Sequence, residues 1–399
     1  MKHCILFATA DWDEPYWTNK QHTASELARQ GWRVLYVESV GLRSPGMASR
    51  RNWKRLWRRL KAGLHTLIFG ARQRRKNIWV LSPLAIPAQH HRPFVGWLNR
   101  TLLQGMLRRF IETQQFAKPL IWTYHPYMLD AIAAIEPRTL LYHCVDDLAA
   151  VPGVDAEAFR QAEQKLLEKA DAVFATSKPL AEHCAHLNPN THFLPNVADA
   201  DHFGRALEPG PIPDDLAAIP EPRLVYHGVL SDFKVDFALL RKAAQLRPDW
   251  HWILIGEERE GQKSGLLAQL AELPNVHLMG HRSYETLPDY LRGIQVGILP
   301  SLINDYTRSM FPMKYFEYLA AGLPVVSTPL EFTQTHRAGL EIAQTAEEMI
   351  NAVERQIQRG RFFAKEVSNM IADNTWRTRT EKMLETIMPG NIKPHIETV

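Results

Sequence analysis

From residue 223 onward, strand-length apolar runs alternate with helix-length amphipathic ones at short spacing. No other feature constrains the fold as much. The runs Arg223–Val229, His251–Gly256, Val276–Gly280, Val296–Pro300 and Pro324–Ser327 are separated by helical patterns at Asp236–Leu246, Gly265–Glu272, Tyr284–Leu291 and Pro312–Ala321. Strand, helix and strand in strict turn predict a parallel sheet wrapped by helices. The first half repeats the pattern less regularly, with strands expected at Ile5–Thr9, Arg33–Glu38, Asn77–Leu81, Pro119–Tyr124, Thr139–Val145, Ala172–Thr176 and Thr191–Leu194. Helices are expected there at Gln21–Arg29 and Ala156–Lys169. Between them, Pro209, Pro211, Pro213, Pro220 and Pro222 suit neither element and predict an interdomain linker. A chain of 399 residues accommodates two such domains.

Several function classes drop out. The three cysteines, Cys4, Cys144 and Cys184, form no C-x-x-C and no even framework, which excludes a disulfide scaffold or zinc ribbon. No apolar run reaches the roughly 18 residues of a membrane span. The start reads as a first strand rather than a signal peptide, so a soluble cytoplasmic protein is expected. No G-x-S-x-G, no P-loop and no paired histidines at helical ligand spacing occur, and no metal or other cofactor is expected.

The net charge of +4 conceals a local excess. Eleven Lys or Arg and no acid lie between Arg50 and Lys76. Within that stretch Trp53, Leu56, Trp57, Leu60 and Leu64 form one helical stripe, with Lys54, Arg55 and Arg58 among the cations around it. Such a helix suits an anionic membrane interface, with Trp53, Lys54, Arg55, Trp57 and Arg58 as contacts. The alternative is a stripe packed on the domain core. No nucleic-acid motif accompanies the charge, and nucleic acid is not expected as a partner.

The segment Ser309–Ser327 carries the most chemistry. Pro312 suits a first helical turn and Gly322 a C-cap before the next strand. A helix start that follows a strand and a polar loop is an anion site, to which Lys314 adds a full charge. Glu317, three residues on, shares that face and can accept hydrogen bonds from vicinal hydroxyls. A cation for phosphate and a carboxylate for ribose together describe a nucleoside diphosphate. An ordinary surface salt bridge is the alternative.

The run Pro312-x-Lys314-x-x-Glu317-Tyr318-Leu319-Ala320-Ala321-Gly322-x-Pro324-Val325-Val326 resembles the donor-nucleotide motif of GT-B glycosyltransferases, the retaining family 4 and its bacterial exopolysaccharide relatives. Tyr226-His227-Gly228 with Lys234 and Asp236 is similar to the first strand and loop of that family's C-terminal domain, where a Lys meets the diphosphate. His251–Gly256 and Asn275–Arg282 resemble the next two strands, with His281 and Arg282 leading into the base-binding loop. Asn374, Trp376 and Arg379 fit the helix that such enzymes return across the first domain. The resemblance is strong over 223–328 and weaker before 120. It implies a GT-B fold of two Rossmann-like α/β domains: residues 1–205 for the acceptor, a linker at 206–222, a donor domain at 223–375 and a returning helix at 376–399.

There are departures. The second Glu usual in the retaining family is Ser309, an Arg usual after the strand glycine is Val229, and the first loop lacks its glycine pair. Donor contacts are expected from Gly228, Lys234, His281, Arg282, Ser309, Pro312, Lys314 and Glu317. In the first domain Asp146 and Asp147, at a strand's carboxyl end, resemble the general base of inverting relatives, and His125 matches a histidine of retaining ones, so stereochemistry stays open. An Asx turn or helix cap is the alternative for the aspartates. Trp12, Tyr16 and Trp17 offer faces for sugar stacking, with Asn19 and His22 as polar contacts, against the alternative of packing under a loop. Asp11-Trp12-Asp13 spells D-x-D, a metal motif of another fold, and is discounted.

The expected function is transfer of a sugar from a nucleoside-diphosphate sugar, UDP ahead of GDP, to a glycan or polyprenyl-diphosphate-linked acceptor. The expected setting is bacterial polysaccharide or envelope glycan synthesis at the inner face of the cytoplasmic membrane. The alternatives are a sugar-nucleotide epimerase of the same shape and a non-catalytic GT-B partner protein.

Overall fold

The computed structural model describes residues 2–39, 50–84, 93–258 and 265–387, without the side chains of 50–56, 58 and 93. Two units result, Met1–Leu194 with Thr380–Val399, and Pro195–Arg379.

The first unit holds eight strands: β1 (His3–Phe7), β2 (Arg33–Val37), β3 (Arg72–Arg75), β4 (Ile78–Leu81), β5 (Leu120–Thr123), β6 (Thr139–Cys144), β7 (Ala172–Ala175) and β8 (Thr191–Phe193). Their order is β3-β4-β2-β1-β5-β6-β7-β8, parallel except for the β3–β4 pair. Successive β1 residues enter different cores, Ile5 and Phe7 one, Cys4 and Leu6 the other. A strand buried on both faces must be apolar throughout, which is why these segments read as continuous runs. The edge strand β3, Arg-Gln-Arg-Arg, is exposed along its length and has no such signature. Helices α1 (Asn19–Arg29), α2 (Arg50–Phe69) and α3 (Pro93–Gln114) belong to this unit.

The second unit holds β9 (Arg223–His227), β10 (His251–Ile255), β11 (Val276–Gly280), β12 (Val296–Leu299), β13 (Val325–Ser327) and β14 (Leu340–Ile342), all parallel in the order β11-β10-β9-β12-β13-β14. The order reverses between β9 and β12, and in the first unit between β1 and β5. Open sheets of this kind bind ligands at the carboxyl ends beside such a reversal.

The proline-rich segment is not a linker. Phe203, Ala206, Leu216 and Ile219 are buried in a core of the second unit. The Arg292 guanidinium donates to the carbonyls of Arg205, Glu208 and Pro211, and Arg223 donates to those of Ile219 and Gly293. Proline forbids regular hydrogen bonding, but it does not forbid burial where arginines satisfy the backbone oxygens. The C-terminal helix Trp376–Thr386 runs into the first unit, where Met383, Leu384 and Ile387 join a core.

The apolar stripe of α2 faces outward. Trp57 is 57% exposed, Leu60 40% and Leu64 43%, with Ile68 and Phe69 continuing the row. Gly63 and Thr66 face inward, and a Cβ on Gly63 would lie 2.9 Å from the Leu84 Cα. Small residues let the helix lie close to the chain beneath it, so the stripe cannot be its packing face. For these residues the alternative of a core-packed stripe does not hold. The side chains of Trp53, Lys54, Arg55 and Arg58 lie outside the described residues.

Candidate active site

At the reversal of the second sheet, β9 ends in His227 and turns at Gly228 (φ +123°). A Cβ on Gly228 would lie 2.6 Å from Lys314 Cε and 2.8 Å from Nζ, so the glycine makes room for the lysine. The helix that supplies Lys314 spans Lys314–Ala320 and leaves Pro312 two residues ahead of it, short of the expected first turn. Tyr318 sets that helix against the sheet. Its ring occupies the space of a Gly297 Cβ, at 2.5 Å, while its hydroxyl donates to the Val225 carbonyl and accepts from the His227 amide. One residue before Tyr318, Glu317 is thereby carried to the end of β9. Its Oε2 lies 3.3 Å from His227 Nε2.

Both residues are buried at 6% exposure, and His227 Nε2 has no hydrogen-bond partner among the described residues. Burial pushes the Glu317 carboxyl up to about 7; Lys314 works against that shift and Asp199 adds to it. Burial, then the Lys314 charge, holds His227 well below its ordinary range, so the imidazole is neutral. Lys314 is itself lowered by desolvation, with Glu317 opposing, and its ammonium lies 5.4 Å from the Tyr226 ring. Sequence reasoning named Lys314 and Glu317 but missed His227 and Asp199. A polar residue ending an apolar strand was the one signal available for His227.

The other expected donor residues separate into two groups. Lys234 sits in a loop tied to the one after β12: its carbonyl accepts from Leu302, and Val235 bridges Ser301. Its ammonium lies 5.0 Å from the rings of both Phe233 and Tyr306. Ser309 closes the short helix of that second loop and is half-buried. His281 is half-buried after β11. Arg282 is not gathered with Lys314 and Glu317. Its three guanidinium nitrogens go to Tyr290, Asp215 and the His281 carbonyl, holding the proline-rich segment in place.

In the first unit His125 and Asp146 follow β5 and β6, His125 buried and Asp146 half-buried. Asp147 accepts from Arg160 through both oxygens, at 2.7 and 2.8 Å, and Arg160 also binds the buried Glu163. The structure gives Asp147 an ion pair, not an open position for proton transfer. Trp12 is buried beneath the first loop against Trp17 and Tyr36, and Arg75 lies 4.8 Å from the Trp17 ring. Trp12 is thus a packing residue, whereas Trp17 is half-buried. Asn19 and His22 are buried as well, and Tyr16 is half-buried. Asp11 accepts from Arg59, and Asp13 pairs with Arg74, so each carboxylate of D-x-D meets an arginine. Among the described residues no three His, Cys, Asp or Glu side chains gather as a metal site.

The pH dependence of stability follows from Glu317. Its folded-state value lies above the ordinary one of 4.5, so the fold favours the protonated form. That contribution is present below about 4.5 and is lost as pH rises through about 7. Glu317→Gln is therefore expected to match wild type near pH 4.5 and to exceed it by about 2–3 kcal/mol at pH 8. Urea unfolding at the two pH values measures the difference, and a less stable variant at pH 8 would refute it.

The first sheet, parallel but for β3–β4, and the wholly parallel second sheet make two α/β units of the GT-B kind, the second with a lysine and a buried carboxylate at its strand-order reversal. Residues 221–359 match the family model for glycosyl transferases group 1. A protein of Bacillus subtilis (strain 168), TuaH, whose name assigns it to teichuronic acid biosynthesis as a glycosyltransferase, is 29% identical over 184 residues. That alignment covers 44% of this chain and 45% of TuaH, under half of each. Sucrose-phosphate synthase from Thermosynechococcus elongatus superposes with TM-score 0.70 at 17% identity, covering 96% of this chain and 98% of its own. Anabaena HepE, solved in complex with UDP-glucose, gives 0.64 at 17%, covering 97% and 99%.

Proposed function

We propose that this protein is a glycosyltransferase of bacterial polysaccharide synthesis that takes its sugar from a UDP-sugar. The observation that carries the proposal is the convergence of Lys314, Glu317 and Gly228 at the reversal of the second sheet. There a cation can meet a diphosphate and a carboxylate can meet a ribose diol. The UDP and UDP-glucose complexes of HepE and the name of TuaH support the same reading. In it Lys314 and Lys234 take up the charge of the departing diphosphate, in place of a metal. Asp146 and His125 are the first unit's candidates for the acceptor end, and Asp147 is set aside by its pair with Arg160. The test is release of the nucleoside diphosphate, UDP or GDP, from a panel of UDP- and GDP-sugars with a lipid-linked acceptor, with and without EDTA. Turnover of no donor refutes the proposal. Conversion of donor without acceptor marks an epimerase, and nucleotide binding without turnover a non-catalytic relative.

A second observation favours a lipid-linked acceptor at an anionic membrane surface, the inner face of the cytoplasmic membrane. No described helix is long and apolar enough to cross a membrane. The outward stripe of α2 leads through Gly70 and Ala71 into the exposed cations of β3, so apolar and basic surface adjoin. Trp57→Glu with Leu64→Glu is expected to weaken co-sedimentation with phosphatidylglycerol vesicles roughly tenfold or more, and to leave the melting temperature within about 2 °C. Unchanged sedimentation would remove α2 from the membrane contact.

A further inference from the structure

We propose that His227 is a positioning residue for Glu317 and that the pair makes nucleotide binding proton-linked. In the free protein the pair carries one dissociable proton, which the ribose hydroxyls of a nucleoside diphosphate displace to solvent by taking the carboxylate as their acceptor. This rests on the donor-site reading above. The geometry is of two titratable side chains, each more than nine-tenths buried, with Nε2 and Oε2 3.3 Å apart outside hydrogen-bond alignment. The imidazole cannot swing away. Phe203 stacks on it at 6.2 Å and Tyr318 meets it edge-on at 5.1 Å.

The charged and titratable groups on the neighbouring elements decide which partner holds the proton. From the Lys314–Ala320 helix, Lys314 opposes a charged imidazole and favours a charged carboxyl. From the start of the Ala200–Gly204 helix, Asp199 opposes the carboxylate, and Tyr226 and Tyr318 add no charge at neutral pH. Lys314 and burial leave the imidazole neutral, so the proton belongs to Glu317, whose carboxyl titrates at about 7. A diol donates two hydrogen bonds, which a carboxylate accepts better than a carboxylic acid. On binding, the Glu317 O–H bond breaks, the proton passes to buffer, and the hydroxyls stay intact.

Titration calorimetry of the full chain with UDP, in PIPES and in imidazole at pH 6.5, tests the inference, because the buffers differ in ionisation enthalpy. The expected result is an apparent enthalpy that differs between buffers by the release of over half a proton per UDP, falling toward zero by pH 8.5. Equal enthalpies in the two buffers, or proton uptake, overturn it and leave the donor site standing. Binding of none of UDP, GDP or ADP overturns the donor-site reading itself. His227→Phe keeps an aromatic ring between Phe203 and Tyr318 but removes the nitrogen facing Glu317, and His227→Gln serves if that variant misfolds. Either should weaken UDP binding without abolishing it and move the midpoint of proton release to higher pH, because neither keeps the ring nitrogen 3.3 Å from the carboxylate while Lys314 and Asp199 stay in place. An unmoved midpoint would show that His227 does not position Glu317.

Discussion

Lys314→Ala is expected to weaken UDP binding roughly 10- to 150-fold while leaving thermal unfolding where it is or slightly higher. The loss is large because a charge-assisted contact to a diphosphate at a partly desolvated site contributes about 1.5–3 kcal/mol. No other described cation shares the space that Gly228 leaves open, since Lys314 Cε and Nζ already fill the position of its absent Cβ. The stability change has the opposite sign from most truncations. Desolvation lowers the Lys314 ammonium, so the folded state disfavours its charge at neutral pH and the alanine relieves that cost. The measurement is the UDP-induced rise in melting temperature, together with the melting temperature of the free variant. Retained binding would refute the diphosphate assignment. A fall of several degrees without ligand would make Lys314 a structural residue.

Gly256→Ala is expected to cost more than about 4 kcal/mol and to prevent the second unit from folding. A Cβ there would lie 1.8 Å from the Gly228 carbonyl oxygen and 2.9 Å from its carbon. Neither atom can yield. Gly228 donates its amide to Ile255, and Gly256 donates to the Gly280 carbonyl, so three strand ends are locked in line. Gly228→Ala makes the useful contrast. Its Cβ meets the flexible end of Lys314 and otherwise faces only a positive φ, a strain of about 1–2 kcal/mol. That variant should fold and bind UDP poorly, because it displaces the lysine. Soluble expression and urea unfolding of the two variants decide the matter, and a stable Gly256→Ala would refute the backbone-contact argument.

Together the two predictions mark how far the site was legible in the chain itself. The spacing of Lys314 and Glu317 was readable because a helix turns every 3.6 residues and brings three-apart side chains to one face. His227 belongs to the same group, yet its partner lies 90 residues away, and only the packing of Tyr318 against Gly297 joins them. Periodicity could not report β3 either, since an exposed edge strand buries nothing and needs no alternation. The proline-rich stretch misled for a related reason. Its prolines advertise broken secondary structure, while Arg292, which satisfies its carbonyls, comes from a distant helix of the unit.

The sequence by itself determined the alternation of elements, the parallel sheet of the second unit, and a lysine and a carboxylate on one helix turn. These are local consequences of side-chain period, turn residues and strand propensity. Only the tertiary structure decided that the tryptophan–leucine stripe of α2 turns outward, that Trp12 and Asp147 are held in internal contacts, and that His227 meets Glu317. An amphipathic stripe states that a face is apolar but not what covers it. Here Gly63 lets the helix lie on its small-residue side, and long-range packing of that kind leaves no trace in local sequence.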